Sequence, residues 1–198
     1  MGLEEKRIGF AITGSHCTLE RVMKPIEALT KAGAEVIPLV SAAVAQSDTR
    51  FGRGKDWVAR LREITGHSPL ASVVAAEPIG PKRLLDAIVV APCTGNTLAK
   101  LANGITDGPV TMAVKATLRN GRPVILSLSS NDALGLNAKN LGIMLNAKNV
   151  YFVPFGQDNP QEKPTSIDSH LDLLIETVEA ALRGTQLQPV LREWRRQA

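Results

Sequence analysis

The feature that most constrains the fold of this 198-residue sequence is an alternation of short apolar runs with longer segments of helical periodicity. Five runs have the length and composition of buried strands: RIGFAIT, EVIPLV, DAIVVA, PVILSL and NVYFVP, which begin at residues 7, 35, 86, 123 and 149. Strands that are apolar along their whole length are typical of parallel sheets covered on both faces. The alternation therefore predicts an α/β fold with an open, doubly wound parallel sheet, Rossmann-like or flavodoxin-like, and helices on both faces.

The segments between these runs carry apolar residues at helical spacing. LERVMKPIEALTKAG and DWVARLREITG each end in glycine, a common helix stop. Further helices are predicted after PCTGNT and in PVTMAVKATLRNG, NAKNLGIMLNAK and SHLDLLIETVEAALRG. Pro38, inside the second apolar run, predicts that this strand lies at an edge of the sheet, because proline has no N–H for the strand ladder.

Length and composition bound the domain organisation. With 44% hydrophobic and 21% charged residues, the chain is predicted to form one domain, residues 1–198, with a C-terminal arm at about 184–198. Two stretches, 41–55 and 156–166, are rich in small, polar, glycine and proline residues and are interpreted as loops. Loops of that length in a compact domain are usually either functional or disordered.

Several classes of protein are disfavoured. No apolar run reaches the roughly 18 to 20 residues that span a bilayer, and the first residues lack a secretory pattern, which predicts a cytoplasmic protein without membrane contact. The net charge is +4, but outside the terminal REWRRQA the basic residues are dispersed, and aromatic residues are few, so no nucleic-acid partner is predicted. Cys17 and Cys93 are too few and too isolated for a disulfide scaffold or a zinc site, which predicts free thiols and no metal.

Ligands of a doubly wound sheet bind at the carboxyl ends of its strands, where loops lead into helix N-termini. After the first strand come Gly14, which permits close approach, the hydroxyls of Ser15 and Thr18, and the free N–H groups of the next helix. This loop suits a phosphate, and helix capping by Ser15 or Thr18 is the alternative. It lacks the G-x-G-x-x-G fingerprint, which disfavours a nicotinamide cofactor.

Neutral hydrogen-bonding residues also follow three further strands. Ser41 follows the second strand, PCTGNT the third and SLSSND the fourth. Amides such as those of Asn96 and Asn131 donate and accept hydrogen bonds without adding charge. This lining suits a flat heterocycle with carbonyl and imide groups, such as a flavin.

The segments ITGS and APCTGNTLAKLANGITDG resemble the flavin-mononucleotide-binding flavoproteins related to phosphopantothenoylcysteine decarboxylase, whose motif is commonly Pro-Ala-Ser-Ala-Asn-Thr. The resemblance implies a Rossmann-like protein that binds FMN. It implies that Gly14 and Ser15 fall in the first phosphate-side loop, Ser41 in the second, and Thr94, Asn96 and Thr97 in the flavin-facing motif. The full set of predicted cofactor-binding residues is Gly14, Ser15, Ser41, Pro92, Thr94, Gly95, Asn96, Thr97 and Asn131.

Longer segments narrow the resemblance. DTRFGRGKDW, SSNDALGLNAKNL and AKNVYFVPFGQDNP, with other stretches between about residues 6 and 190, are similar to the family of dipicolinate synthase B subunits. That family implies a dehydrogenase-like A subunit as partner, with NAD(P) on the partner and little activity without it. It implies oxidation of a dihydrodipicolinate-type precursor to dipicolinate (pyridine-2,6-dicarboxylate) in the mother cell of a sporulating bacterium. A homo-oligomer, a trimer or a multiple of trimers, is also implied.

The sequence departs from the decarboxylases of this superfamily in two places. Their active-site histidine lies shortly before the Pro of the Asn-Thr motif, whereas residues 77–81 here read Glu-Pro-Ile-Gly-Pro. Their later Pro-Ala-Met-Asn motif is altered at residues 127–131, where only Asn131 persists. Two alternatives stay open: a stand-alone FMN-dependent decarboxylase, which the missing histidine disfavours, and a non-catalytic partner subunit with a vestigial flavin pocket.

Charged residues near the strand ends have two interpretations each. Arg50, Arg53 and Lys55 on the first long loop could clamp a dicarboxylate substrate, or they could belong only to a solvated loop. Lys100 and Asp107 flank the flavin-facing motif and are interpreted as helix-end charges.

The remaining reactive residues give no assigned catalytic group. His16 could contact a ligand at the mouth of the first loop, whereas His67 and His170 share no strand end with the pocket and are predicted to be exposed. Cys93 lies in the flavin-facing motif, but no base adjoins it in the sequence, so it is predicted to be structural.

Overall fold

The computed structural model describes residues 2–193. Within that range the strands are β1 (Arg7–Ile12), β2 (Glu35–Val40), β3 (Ala87–Cys93), β4 (Val124–Ser130), β5 (Val150–Phe152), β6 (Phe155–Gln157) and β7 (Ile167–Ser169). The α-helices are α1 (Leu19–Lys31), α2 (Ala42–Ala45), α3 (Gly54–Thr65), α4 (Val73–Ala76), α5 (Gly95–Ala102), α6 (Pro109–Arg119), α7 (Ala138–Leu145) and α8 (Leu174–Leu182). Short 3-10 helices occupy His16–Thr18, Glu77–Ile79 and Leu171–Leu173.

The sheet is mixed. β1 pairs in parallel with β2 and β3, β3 with β4, and β4 with β5, which gives the order 2-1-3-4-5. β7 pairs antiparallel with the end of β4, and β6 pairs antiparallel with β7. The doubly wound fold class is confirmed, but a wholly parallel sheet is wrong at β6 and β7. Their sequences FGQ and IDS each contain one large apolar residue and give no strand signal, whereas the equally short β5 lies in the apolar run NVYFVP.

The two predicted loops contain more regular structure than expected. The stretch 156–166 is mainly the connection between the antiparallel strands β6 and β7. The stretch 41–55 contains the four-residue helix α2 and the first residues of α3. The predicted edge position of Pro38 agrees with the sheet order, in which its strand, β2, is the first member.

Apolar side chains fill both faces of the sheet. Ile8, Phe10 and Ile12 of β1 are fully buried in a cluster that includes α1, α3 and α8. Ala11 of the same strand belongs to a second cluster, with α5, α6 and α7. Alternate residues of a strand point to opposite faces, so burial on both sides explains why the strands are apolar throughout. No helix in residues 2–193 is long and apolar enough to cross a membrane.

The chain changes face between β1 and β3. β1 leads into α1, which packs in the first cluster, and β3 leads into α5, which packs in the second. These two strands are neighbours, so the connections at their carboxyl ends run in opposite directions away from the sheet. In open α/β sheets this divergence leaves the crevice in which ligands bind.

The chain after α8 returns to the sheet. The side chain of Gln186 bonds both the N–H and the carbonyl of Phe152, and the backbone of Phe155 bonds Val190 and Arg192. Residues 194–198 of the predicted arm lie outside the described residues. The single domain over 1–198 stays a prediction.

Candidate functional site

A cleft of about 520 Å³ lies at the carboxyl ends of β1, β2 and β3. Five of the predicted cofactor-binding residues line this cleft: Gly14, Ser41, Thr94, Asn96 and Thr97. The other lining residues are Thr13, Ala42, Ala43, Ala71, Ser72, Val73, Lys100, Asp107, Gly108, Pro109, Val110 and Thr111. A larger groove of about 770 Å³, between α1 and the β6–β7 connection, is lined by none of the predicted residues.

The ends of β1 and β3 are tied together by Thr13. Its hydroxyl donates a hydrogen bond of 2.6 Å to the carbonyl of Pro92 and accepts one of 3.2 Å from the N–H of Thr94. Pro92 itself is buried and does not line the cleft. Its position therefore supports the loop, and contact with a ligand stays a prediction.

Two helices begin at the cleft. Thr94 caps α5, because its Oγ1 accepts a 3.2 Å hydrogen bond from the N–H of Thr97. At α6, Pro109 occupies the first turn, and Gly108 and Thr111 exchange hydrogen bonds of 3.2 and 3.1 Å. The first N–H groups of a helix lack helical partners and carry the positive end of its dipole. The cleft therefore favours a negatively charged group.

The hydroxyl of Ser41, at the end of β2, is an unsatisfied polar group. Its Oγ is buried and has no hydrogen-bond partner among residues 2–193. Gly14 lies nearby in structure: a Cβ at that position would come within 3.1 Å of the Cβ of Ala43. A side chain at residue 14 would thus crowd the segment after β2, and glycine permits the close approach.

The cleft carries one ion pair. Of the described residues that line it, only Lys100 and Asp107 are charged, and Lys100 Nζ lies 2.7 Å from Asp107 Oδ2. The hydrogen bond from Lys100 holds the pKa of Asp107 below its ordinary value. The lining therefore has no net formal charge.

Three predicted residues lie in a second polar cluster, at the end of β4, which we call the β4 cluster. The first, Ser15, belongs to a triangle of hydroxyls with Thr18 and Ser129, with oxygen separations of 3.0 to 3.1 Å. The second, Asn131, accepts hydrogen bonds from Thr165 at its carbonyl, 2.6 Å, and from Ser166 at its side chain, 3.3 Å. Neither residue lines the cleft.

The third, Gly95, packs against a carboxylate. A Cβ at residue 95 would lie 2.6 Å from both Asp132 Oδ1 and Ser130 Oγ and 2.8 Å from Asn137 Nδ2. Ser130 and Asn137 donate hydrogen bonds of 2.7 and 2.6 Å to Asp132. The bond from Ser130, followed by that from Asn137, lowers the pKa of Asp132 despite the opposing effect of partial burial. Buried Asn140 extends the chain by donating to Asn137, 2.8 Å.

The basic residues of the first long loop do not reach the cleft. Arg53 makes a two-point contact with Asp56, at 2.8 and 3.3 Å, so its charge is already paired. The guanidinium of Arg50 lies 4.8 Å from the ring centre of Phe51. Lys55 is exposed. The role of Arg50, Arg53 and Lys55 in substrate binding stays a prediction.

Histidines and thiols contribute no group to the cleft lining within residues 2–193. His16 is half-buried in the loop after β1, and His67 lies 3.5 Å from Glu35. Cys93 is fully buried, which raises the pKa of its thiol to about 12 and opposes a nucleophilic role. In the same part of the chain, no three His, Cys, Asp or Glu side chains are grouped to hold a metal ion.

Residues 71–73 also line the cleft, which the sequence did not predict. Ser72 caps α4 by accepting a 3.1 Å hydrogen bond from the N–H of Ala75. Serine before VVAA is a recognisable helix start, but a four-residue helix gives no periodic signal. The start of α6 was visible as Gly108-Pro109, since proline is common in the first turn of a helix.

The family of the chain is decided by its match to a family model. The model described as Flavoprotein matches residues 2–175. The chain belongs to the Flavoprotein family. The predicted flavoprotein resemblance is therefore confirmed.

Individual relatives show which members of the Flavoprotein family this chain is similar to. The B subunit of dipicolinate synthase from Bacillus subtilis (strain 168) is 54% identical over 191 residues, which are 96% of each chain. The crystal structure of the B subunit of dipicolinate synthase from Bacillus halodurans has a TM-score of 0.90 and 50% identity, covering 98% of this chain and 100% of that one. The FMN-dependent cysteine decarboxylase SpaF, at 19% identity, shares the fold, with a TM-score of 0.64 and coverage of 90% and 98%. The narrower resemblance to dipicolinate synthase B subunits is also confirmed.

Proposed function

We propose that this protein is the flavin-binding B subunit of a dipicolinate synthase. It acts with a dehydrogenase-like A subunit, which carries NAD(P), to oxidise a dihydrodipicolinate-type precursor to dipicolinate. The observation that carries this proposal is the identity of 54% to the B subunit of a dipicolinate synthase over 96% of both chains. The setting implied by the resemblance is the mother-cell cytoplasm of a sporulating bacterium.

Three features of the cleft support the binding of FMN. Ser41 Oγ is a buried hydroxyl without a partner in residues 2–193, and such a group gains free energy when a ligand bonds it. The starts of α5 and α6 favour a phosphate, and Asn96 offers a donor and an acceptor to a flavin ring. FMN bound there would supply a two-electron acceptor beside the ends of β1 and β3.

The reaction explains why a second subunit is needed. Aromatisation of a dihydropyridine dicarboxylate transfers one hydride equivalent to an oxidised cofactor and releases one proton. With NAD(P)⁺ as the final acceptor, the products are dipicolinate, NAD(P)H and a proton. This chain has no G-x-G-x-x-G fingerprint for a nicotinamide, so the A subunit supplies that cofactor.

The segment 46–55, which ends in the first residues of α3, is the surface we assign to the substrate or the partner. Arg50 and Lys55 are exposed outside the cleft, and Phe51 is 42% exposed beside Arg50. A cation next to an exposed aromatic ring is typical of interface residues. Replacing Arg50 with Ala is expected to raise the apparent KM or to weaken association with the A subunit.

Exposed apolar side chains support a homo-oligomer. Leu136 and Ile143 are 87% and 51% exposed, and Val74, beside the cleft wall, is 81% exposed. Leu136 and Ile143 belong to the segment before α7 and to α7 itself, whereas Val74 belongs to α4. Exposed apolar side chains of this kind are typical of surfaces that pack against another subunit. We propose a trimer or a multiple of trimers. A monomer at micromolar concentration in sedimentation velocity would contradict this.

A decarboxylase is less well supported. The segment Glu77–Ile79 is a 3-10 helix without histidine, and no histidine of residues 2–193 lines the cleft. The non-catalytic alternative makes a different prediction, because a subunit with a vestigial flavin pocket would support the A subunit without bound flavin.

Reconstitution tests the proposal. The purified protein is expected to be yellow and to release FMN on denaturation. With dihydrodipicolinate and NAD(P)⁺, it should form little dipicolinate alone and much more with the A subunit, as followed by NAD(P)H absorbance. Equal rates from the A subunit with and without this chain would refute a shared role. Full stimulation by the flavin-free protein would favour the non-catalytic alternative.

A further inference from the structure

The ion pair Lys100–Asp107 lies at the surface of the cleft. Both residues line the cleft, and both side chains reach water, with 30% of Lys100 and 52% of Asp107 exposed. Lys100 lies in the last turn of α5, and Asp107 lies just before the start of α6. Their positions in sequence are those of helix-end charges, and the structure brings Lys100 Nζ within 2.7 Å of Asp107 Oδ2.

A flavin nucleotide brings a strong negative charge to this place. A phosphate monoester carries a charge of about −1.5 to −2 at neutral pH. Among the described lining residues, Lys100 is the one cation that can meet it, and Asp107 is the one anion that can repel it. The other lining side chains are neutral, so these two residues supply the formal charges that act on a bound phosphate, in addition to the N-termini of α5 and α6.

We infer that Lys100 binds the phosphate of the flavin nucleotide and that Asp107 occupies Lys100 until the phosphate arrives. The pair would thus determine the preference of the cleft for phosphorylated over unphosphorylated flavin. This inference rests on the proposed function, because it assumes that the cleft binds a flavin.

The exposure of the two side chains fits such an exchange. Ion pairs that reach water are weak, so a phosphate can displace Asp107 at little cost. The released carboxylate is the more exposed partner and can turn into solvent, while Lys100 stays at the cleft. An aspartate with an ordinary pKa of about 4 is already ionised at neutral pH, and the hydrogen bond from Lys100 lowers the pKa of Asp107 further, so this carboxylate competes for Lys100 across the physiological range.

The test compares two ligands that differ only in the phosphate. Dissociation constants for FMN and riboflavin are measured by quenching of flavin fluorescence for the wild type, Lys100→Met, Asp107→Asn and the double variant. Lys100→Met should weaken FMN binding about 10- to 100-fold, the range for loss of a charged hydrogen bond, and riboflavin binding less than about twofold. Asp107→Asn should tighten FMN binding about two- to fivefold in the wild-type background and not in the Lys100→Met background.

Lys115→Met is the matched control. Lys115 is exposed on α6, outside the cleft lining, and its loss changes the net charge by the same amount. Both dissociation constants should stay unchanged, which separates local contact from the long-range field. Increasing salt should weaken FMN binding to the wild type more than to Lys100→Met.

The outcomes separate this inference from the proposed function. If the wild type binds neither flavin, the proposed function fails and this inference fails with it. If the wild type binds FMN but Lys100→Met weakens FMN and riboflavin equally, Lys100 does not contact the phosphate and only this inference fails. An equal loss in Lys115→Met would also overturn it. Thermal melting of each variant verifies that the fold is kept.

Discussion

The cleft and the β4 cluster carry the same kind of residues but satisfy them differently. Both contain small hydroxyl and amide side chains at or near the carboxyl end of a strand. In the β4 cluster, the hydroxyls of Ser15, Thr18 and Ser129 bond one another, and Asp132 accepts bonds from its own neighbours. In the cleft, by contrast, the buried Ser41 Oγ has no hydrogen-bond partner in residues 2–193.

The difference in hydrogen bonding distinguishes polar groups that stabilise the fold from polar groups that are free to bind a ligand. A closed hydrogen-bond network repays the cost of removing its members from water. An unpaired buried hydroxyl costs free energy until a partner arrives. We therefore expect substitutions in the β4 cluster to lower stability and substitutions in the cleft to lower flavin affinity.

The largest expected effect is the loss of flavin binding in Asn96→Leu. Leucine removes both a donor and an acceptor from the cleft, and the polar groups of the flavin would lose their partners on burial. We expect FMN affinity to fall about 100-fold or more, or about 2.7 kcal/mol, with an unchanged melting temperature. Flavin fluorescence titration and thermal unfolding measure the two quantities.

Asn131→Leu is the comparison variant for this prediction, because Asn131 lies in the β4 cluster and bonds Ser166. It should lose stability and keep most of its flavin affinity. A loss of FMN binding equal to that of Asn96→Leu would show that the β4 cluster also belongs to the flavin site.

The second prediction is a loss of stability in Gly95→Ala. The added methyl would lie 2.6 Å from Asp132 Oδ1 and Ser130 Oγ, atoms that are fixed by their mutual hydrogen bond. Overpacking of this kind costs about 1 to 3 kcal/mol. Urea unfolding of the apoprotein measures it.

Gly142→Ala is the control, because Gly142 lies inside α7 with open space around it. It should gain about 0.5 to 1 kcal/mol from the higher helix propensity of alanine. If Gly95→Ala is as stable as the wild type, the β4 cluster is not closed around residue 95.

Much of the fold could be predicted from sequence because the spacing of apolar residues in a long segment indicates its secondary structure and its buried sides. The strands β1 to β5 and the longer helices are apolar at spacings that reveal which sides are covered. The strands β6 and β7 each contain only one large apolar residue, and the helices α2 and α4 have only four residues, so none of them gives that signal. Their existence depends on partners distant in sequence.

The site was predictable only in part, for a topological reason. Gly14, Ser41 and Asn96 meet because β1, β2 and β3 are neighbours in the sheet, and the strand-end rule applies to them. Asn131 obeys the same rule, but β7 pairs beside the end of β4 and the connection before it bonds Asn131. Lys100 and Asp107 were noticed as charges, but their pairing depends on the turn between α5 and α6.

The third prediction compares two Ser→Ala substitutions. Ser129→Ala removes two hydroxyl contacts of 3.0 and 3.1 Å and should cost about 1 kcal/mol of folding stability, with FMN affinity retained. Ser41→Ala removes a buried hydroxyl without a partner and should leave the apoprotein equally stable or slightly more stable. Its FMN affinity should fall about fivefold. The reverse pattern, with Ser41→Ala less stable and Ser129→Ala weaker for FMN, would exchange the roles of the two regions.

The smallest expected effect is the pH dependence that Asp132 contributes. The hydrogen bond from Ser130, aided by that from Asn137, lowers the pKa of Asp132 in the folded state below its value in the unfolded chain. Its stabilising contribution is therefore fully present above the unfolded pKa of about 4 and is lost as the pH falls through the lower folded value. The effect is small because the carboxylate is only partly removed from water.

We expect the free energy of unfolding of the wild type to fall between about pH 5 and pH 2, and to fall less steeply in Asp132→Asn, which cannot take up this proton. Parallel slopes for the two proteins in urea unfolding across this range would show that the β4 cluster does not hold Asp132 as an ion.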